Sequence, residues 1–240
     1  MTKHHPTARR VHRVAHDEDT FVSSVLGGTA WAQTHGRHII IGAVIAVILV
    51  VGFMYVRTTG AARRDLAAQE LSRVRATMQT GNMQLAQQDL EGYIRRFGST
   101  DAGAEAKIML AQVYLQGNQP QKAIEPLESL AGNVDTPAGF TAAMLLAAAY
   151  EEGKQFDQAD RTYLRVADDA RFDFQKREAL DRAARVRAEQ GNLAGAIELY
   201  ERTLTTYGDE DDPQTAGERN AYEMRLAELR AASAAGTPTR

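Results

Sequence analysis

Apolar residues fall along this chain in two unlike patterns. Ile39 to Val56 read IIIGAVIAVILVVGFMYV, eighteen positions without a charge. From about residue 66 onward, apolar residues instead recur every three or four positions among alanine, glutamine, glutamate and arginine, and no segment alternates with period two. The second pattern predicts amphipathic helices, each with one face to bury. The first predicts a helix that is apolar on every side. At about 1.5 Å per residue it rises roughly 27 Å, close to the hydrocarbon thickness of a bilayer. Arg37 and His38 stop it at one end and Arg57 at the other, and Trp31 and Tyr55 stand where interfacial aromatics sit. A cleaved signal sequence has a short charged leader, whereas 38 residues precede this run. The reading is therefore one retained transmembrane helix, 39–56.

The leader, 1–38, carries one further helical signal. Phe21, Val22, Val25 and Leu26 follow the acidic start Asp17-Glu18-Asp19 at helical spacing, up to Trp31. This predicts a short amphipathic helix, weakened by Gly27-Gly28, that lies on a membrane face or docks a partner. The rest of the leader reads as a solvated basic tail.

Beyond the apolar run the chain repeats itself. Small residues at Ala86, Ala123, Ala159 and Ala196 are separated by 37, 36 and 37 residues. A glycine turn precedes each (Gly81-Asn82, Gly117-Asn118, Gly153-Lys154, Gly191-Asn192), and a large residue follows four positions later (Leu90, Leu127, Tyr163, Tyr200). The two middle units also share a leucine, an alanine and a tyrosine before the glycine: Leu110, Ala111 and Tyr114, then Leu146, Ala147 and Tyr150. The fourth unit has Arg187 in the tyrosine position, and the first keeps only the glycine, Ala86 and Leu90. This spacing predicts helical hairpins. Leucine and tyrosine share a face of a first helix. Glycine closes that helix with a positive φ, and the alanine lets the second helix approach closely. A lone hairpin cannot bury its apolar face, so stacked neighbours complete the core.

Through these leucine, alanine, tyrosine and glycine positions the sequence resembles the tetratricopeptide repeat (TPR) pattern over about residues 66–208. It departs in its longer period and lacks the proline that often ends a unit. Long linkers such as Gly132 to Gly139 are expected to supply the extra residues. The fold class is thus all-α: a TPR-like solenoid of about four hairpins plus a capping helix, occupying 57–232 and followed by a disordered tail, 233–240. Pro120 falls in the first turn of a second helix, where proline is tolerated, and Pro126 is expected to bend that helix. Asp212 and Pro213 are the expected N-cap and first residue of the capping helix, Pro213 to Ala232, with Tyr222, Leu226 and Leu229 on one face.

Composition narrows the chemistry. The chain has 240 residues, a net charge of −3 and no cysteine, which excludes disulfides, iron–sulfur clusters and thiolate sites and leaves no basic footprint for nucleic acid. All six histidines lie in the leader, without metal-ligand spacing. The run Asp209 to Asp212 lacks the spacing of a calcium loop. No nucleophile, phosphate or dinucleotide motif is present. Neither an enzyme nor a cofactor is expected. TPR arrays offer a groove lined by first helices, and Lys107, Gln112, Arg182 and Arg185 are the candidates for protein binding there.

The layout of an acidic and amphipathic leader (Asp17 to Val25), Trp31, one span and an alanine-rich helix opening the repeats resembles the ancillary SecYEG translocon subunit family. That resemblance implies a single-pass protein of the bacterial inner membrane. Its C-terminal domain would lie in the periplasm and bind channel subunits, chaperones or emerging chains. The basic leader (Lys3, Arg9, Arg10, Arg13, Arg37) fits a cytoplasmic end. A TPR coordinator of envelope assembly or division, and an anchored scaffold facing the cytoplasm, are the alternatives.

Overall fold

The computed structural model describes residues 18–208 and 215–236. They form helices α1 (Glu18–Gln79), α2 (Met83–Phe97), α3 (Asp101–Gln116), α4 (Pro120–Glu128), α5 (Pro137–Glu152), α6 (Phe156–Asp169), α7 (Asp173–Glu189), α8 (Leu193–Leu204) and α9 (Ala216–Ala235), with no strand among the described residues. The chain divides into two compact units, Met1–Ala61 and Ala62–Arg240.

In the first unit α1 begins at Glu18 and runs on without a break at Gly27-Gly28, so the amphipathic segment is not a separate helix. From Ile41 to Tyr55, the large apolar side chains described are between 48% and 68% exposed. Within Val44–Gln79, one eighteen-residue window has a mean hydropathy of 1.9 and no buried residue. By length and composition this is enough to cross a membrane.

In the second unit the last turns of α1 pair with α2, where Tyr93 Oη donates to Ala67 O and Arg96 pairs with Glu70, followed by the hairpins α3–α4, α5–α6 and α7–α8, with α9 packed on α8. The alanine ladder sits at the closest approaches: Ala86, Ala123, Ala159 and Ala196 are fully buried. The residue one turn later fills the space beside each, with Leu90, Leu127, Tyr163 and Tyr200 all at most 2% exposed. A β-branched or longer side chain at the alanines would hold the helices apart.

The turns differ from the expected arrangement in a regular way. Every hairpin linker has three residues, and its second residue has positive φ: Gly81 at 77°, Asn118 at 53°, Lys154 at 61° and Gly191 at 78°. Glycine therefore supplies the left-handed residue only in the first and fourth hairpins. Gly117 and Gly153 stand one position earlier with ordinary φ of −81° and −74°. Each left-handed residue lies five before its ladder alanine, so the structural period is the 37, 36 and 37 of the alanines.

The longer period does not come from long linkers. The eight residues 129–136 are the one long connection between hairpins, and they follow the shortest second helix. Pro126 lies inside α4, where its missing N–H removes the bond to the Lys122 carbonyl, and the helix ends two residues later at Glu128. The linker returns what α4 lacks. Two N-caps fix the next hairpins: Thr100 Oγ1 accepts from Gly103 N at 3.0 Å, and Thr136 Oγ1 from Gly139 N at 3.1 Å. Both glycines are needed for close approach, since a Cβ would lie 2.1 Å from Phe97 O and 1.8 Å from Asn133 O.

The capping helix starts later and ends later than expected. Its N-cap is Thr215, and Gly236 closes it at φ 65° after Ala235. Asp212 and Pro213, the acidic run 209–212 and residues 237–240 lie outside the described residues, as do His4, His5, His12 and His16. Leu226 and Leu229 are buried against the stack, and the Tyr222 ring lies 6.0 Å from that of Tyr200.

Candidate functional site

Hairpins are joined by a side-chain ladder that single-unit reading does not reveal. Tyr114 Oη donates to Glu91 Oε1 at 2.9 Å, and Tyr150 Oη to Glu128 Oε1 at 3.2 Å. In each case the first-helix tyrosine reaches the same repeat position of the preceding second helix. At the next junction that position is Leu164, and Arg187 replaces tyrosine. Arg187 turns instead to Asp160, with Nε and Nη2 donating to the two carboxylate oxygens at 3.0 and 3.1 Å. Burial and the Glu91 carboxylate push the Tyr114 hydroxyl up to about 12. The bonds from Gln87 and Tyr114 hold Glu91 below the usual carboxylate range.

Two cavities open between first helices. One, of about 250 Å³, lies between α5 and α7 over Tyr163, with Phe140, Met144 and Leu145 as its apolar wall and Glu178 and Arg182 opposite. The other, about 710 Å³, is bounded by Glu151 of α5, by Arg182, Arg185 and Glu189 of α7, and by Arg225 and Glu228 of α9, over Tyr200 and Leu229. Arg182 lines both, so the two cavities adjoin at that side chain, and the apolar one and the charged one together make up a trough on the first-helix side. Tyr163 Oη donates to Glu151 Oε2 at 3.1 Å, and Tyr200 Oη to Asp181 Oδ1 at 2.8 Å. Burial pushes the Glu151 carboxyl up and Glu189 adds to it, while the Tyr163 bond and then Arg182 and Arg185 pull the other way. Burial, then Asp181, raises the Tyr200 hydroxyl.

The four expected binding residues separate. Arg182 and Arg185 share the charged end of this trough; Arg185 also pairs with Asp181 at 3.9 Å. Gln112 occupies the same repeat position as Arg185 but lines none of these cavities, and is half-buried on α3. Lys107 points elsewhere. Its repeat position is that of half-buried Glu70 and of buried Ala143 and Leu180. It lines a third cavity, between α2 and α4, and its Nζ donates to Ser129 Oγ at 2.9 Å. Glu151 was missed although the repeat marks it: the same position holds Met78, Leu115 and Ala188, so an acid there breaks an otherwise apolar column.

The trough places guanidinium, carboxylate and apolar groups along one side of a rigid stack. That equips it to hold a polypeptide by side-chain pairing and apolar contact. No cluster suited to a metal ion is present among the described residues.

The tetratricopeptide repeat-like domain profile matches residues 29–231. The chain belongs to the tetratricopeptide repeat-like domain family. The matched range takes in the apolar stretch of α1 as well as the TPR-like repeats. Two crystal structures are similar to it, those of nearly identical TPR-like repeats assigned to a kinesin light chain of Podosopora anserina and of a single-substitution variant. Both have 20% identity and a TM-score of 0.49; they cover 72% and 71% of this chain and 97% and 96% of their own. No curated protein sequence matches. The protein is a TPR-like repeat scaffold suited to protein–protein interaction, a fold whose members are typically non-catalytic.

Proposed function

We propose that this TPR-like scaffold is anchored in the bacterial inner membrane by the apolar part of α1. In this reading it presents its repeats in the periplasm and works there as an ancillary component of the Sec translocon, binding channel subunits, chaperones or emerging chains without chemistry. The observation that carries the anchoring is the apolar stretch itself. Its described side chains are exposed throughout, and no described residue covers them. Leaving that much apolar surface in water is costly, at roughly 25 cal/mol per Å², and a bilayer removes the cost. The trough from Phe140 to Arg225 is the natural binding face, with Arg182 and Arg185 as its cations.

Topology is the first test. Protease added to intact spheroplasts digests the repeats on this reading, and protease added to inverted vesicles leaves them intact. Digestion only in inverted vesicles would overturn the periplasmic placement and favour a cytoplasm-facing scaffold. Co-purification with translocon channel subunits then tests the partner; recovery of outer-membrane or division machinery instead would replace the translocon by envelope assembly.

A further inference from the structure

The start of α7 departs from the pattern set by α3 and α5. Thr100, Thr136 and Phe172 occupy one repeat position, 36 residues apart. The two threonines cap their helices through the side chain, whereas Phe172 is the N-cap of α7 and makes no side-chain bond. Two residues on, Ala102 and Ala138 give way to Phe174. Giving up a hydroxyl cap destabilises a helix, and both phenylalanines are left more than half exposed, at 51% and 56%. Their rings stack on each other with centroids 5.7 Å apart.

The pair lines a cavity of about 350 Å³ between the start of α7 and the end of α8, together with Arg177 and Tyr207. Arg177 is only 8% exposed, and a buried guanidinium normally gives its N–H groups to partners. This one has few. Nη2 lies 3.4 Å from Glu218 Oε2, Cζ lies 4.3 Å from the Tyr207 ring centroid, and Nε has no hydrogen-bond partner among the described residues. Burial first, and Glu218 after it, push the Tyr207 hydroxyl up and keep it protonated. The charges, by contrast, are matched. Glu218 stands against Arg177, and Asp173 pairs with Lys176 at 3.0 Å. Arg171 is outside the lining, with Cζ 5.6 Å from the Phe172 ring centroid. What the cavity calls for is an oxygen acceptor and an apolar cover for two rings, with no counter-ion.

We infer that this cavity is a docking site for an uncharged segment of a partner protein that carries an aromatic residue. The aromatic side chain packs on the Phe172–Phe174 pair, and the backbone carbonyl beside it accepts from the Arg177 guanidinium. A polypeptide supplies both groups within one residue, and the repeats are a scaffold suited to protein–protein interaction. Exposed side chains change rotamer within nanoseconds, so Phe172 and Phe174 turn aside to admit it. Aromatic and arginine anchors of this kind dominate binding at protein interfaces. The site shares no lining residue with the first-helix trough.

The test uses the full chain in detergent micelles and fluorescence anisotropy, read against empty micelles. The probe is a labelled peptide with blocked ends and one Trp among Gly and Ser; its counterpart has Ser in place of Trp. The Trp probe binds saturably and the counterpart does not, and affinity changes less than about twofold between about 0.05 and 0.3 M salt. Phe172→Thr with Phe174→Ala copies the starts of α3 and α5 at exposed positions. It weakens binding at least about tenfold without lowering the thermal midpoint. Arg177→Met weakens binding about tenfold; should it not fold, the double variant decides alone. Leu85→Ser with Met224→Ser, exposed apolar positions elsewhere, changes binding less than about twofold. Binding that is equal for the two probes, insensitive to Phe172 and Phe174, steeply salt-dependent, or absent overturns the proposal. So does a loss that appears only on reversing Arg182 and Arg185, which would place the peptide in the trough. A concentration-dependent dimer that the double variant abolishes would make a second copy the occupant and overturn it as well.

Discussion

Replacing Gly191 and Gly153 by alanine, one at a time, separates the turn geometry from the alignment of glycines in the sequence. Both glycines precede a second helix and look equivalent in the repeat. Gly191 has φ 78°, and a Cβ built there meets nothing within 4 Å. The cost of Gly191→Ala is therefore conformational alone, about 1–2 kcal/mol for an L residue in the left-handed region. Gly153 has φ −74°, which alanine adopts freely. Its Cβ would lie 2.7 Å from Gln121 Nε2, the far end of a flexible exposed side chain, and 3.1 Å from Ala149 O. Gln121 can swing away, so Gly153→Ala costs no more than about 0.5 kcal/mol, and the better helix propensity of alanine offsets part of that. At about 2–4 °C per kcal/mol for a domain of this size, thermal unfolding of the full chain in mild detergent, followed by helical circular dichroism, resolves the two. Gly191→Ala lowers the midpoint by about 2–8 °C and Gly153→Ala by at most about 2 °C. Equal losses, or a larger loss at Gly153, would refute the assignment of the left-handed position to the second linker residue.

Four other outcomes follow from the packing. Ala159→Trp forces a large ring into a fully buried contact and destabilises by about 1–3 kcal/mol or more; an unchanged melting temperature would contradict the alanine ladder. Asp160→Asn removes the charged half of the bidentate Arg187 contact and costs about 1–2 kcal/mol in urea unfolding. Combining Arg187→Tyr with Leu164→Glu copies the Tyr114–Glu91 pair and destabilises less than Arg187→Tyr alone. Stability falls at alkaline pH, because the Tyr114 and Tyr222 hydroxyls are pushed up to about 12 by burial. An acid with a raised folded pKa stabilises fully below its unfolded value near 10 and loses that contribution as pH rises through the folded value. Urea midpoints that stay level between about pH 9 and 12 would contradict it.

The hairpins were legible because close helix packing is a volume constraint, and volume constraints repeat. Ala86, Ala123, Ala159 and Ala196 each stand where two helices meet, so one residue type recurs at one spacing. The left-handed position was not legible, because glycine serves two purposes within one turn. It takes the positive φ at Gly81 and Gly191 and clears space one residue earlier at Gly117 and Gly153, while Asn118 and Lys154 absorb the unfavourable conformation. The Thr-x-x-Gly caps at Thr100 and Thr136 recur 36 residues apart and were open to detection. They lie at the start of first helices, however, where no apolar period draws attention. For the binding surfaces the useful signal is the converse of repetition. Glu151 interrupts the column Met78, Leu115 and Ala188. Arg182 stands in line with Ser72, Met109 and Leu145. Both depart from their columns and both line a cavity. In a stack whose packing asks the same of every unit, a residue that breaks its column is released from that demand or set against it, and at these two places the surface opens.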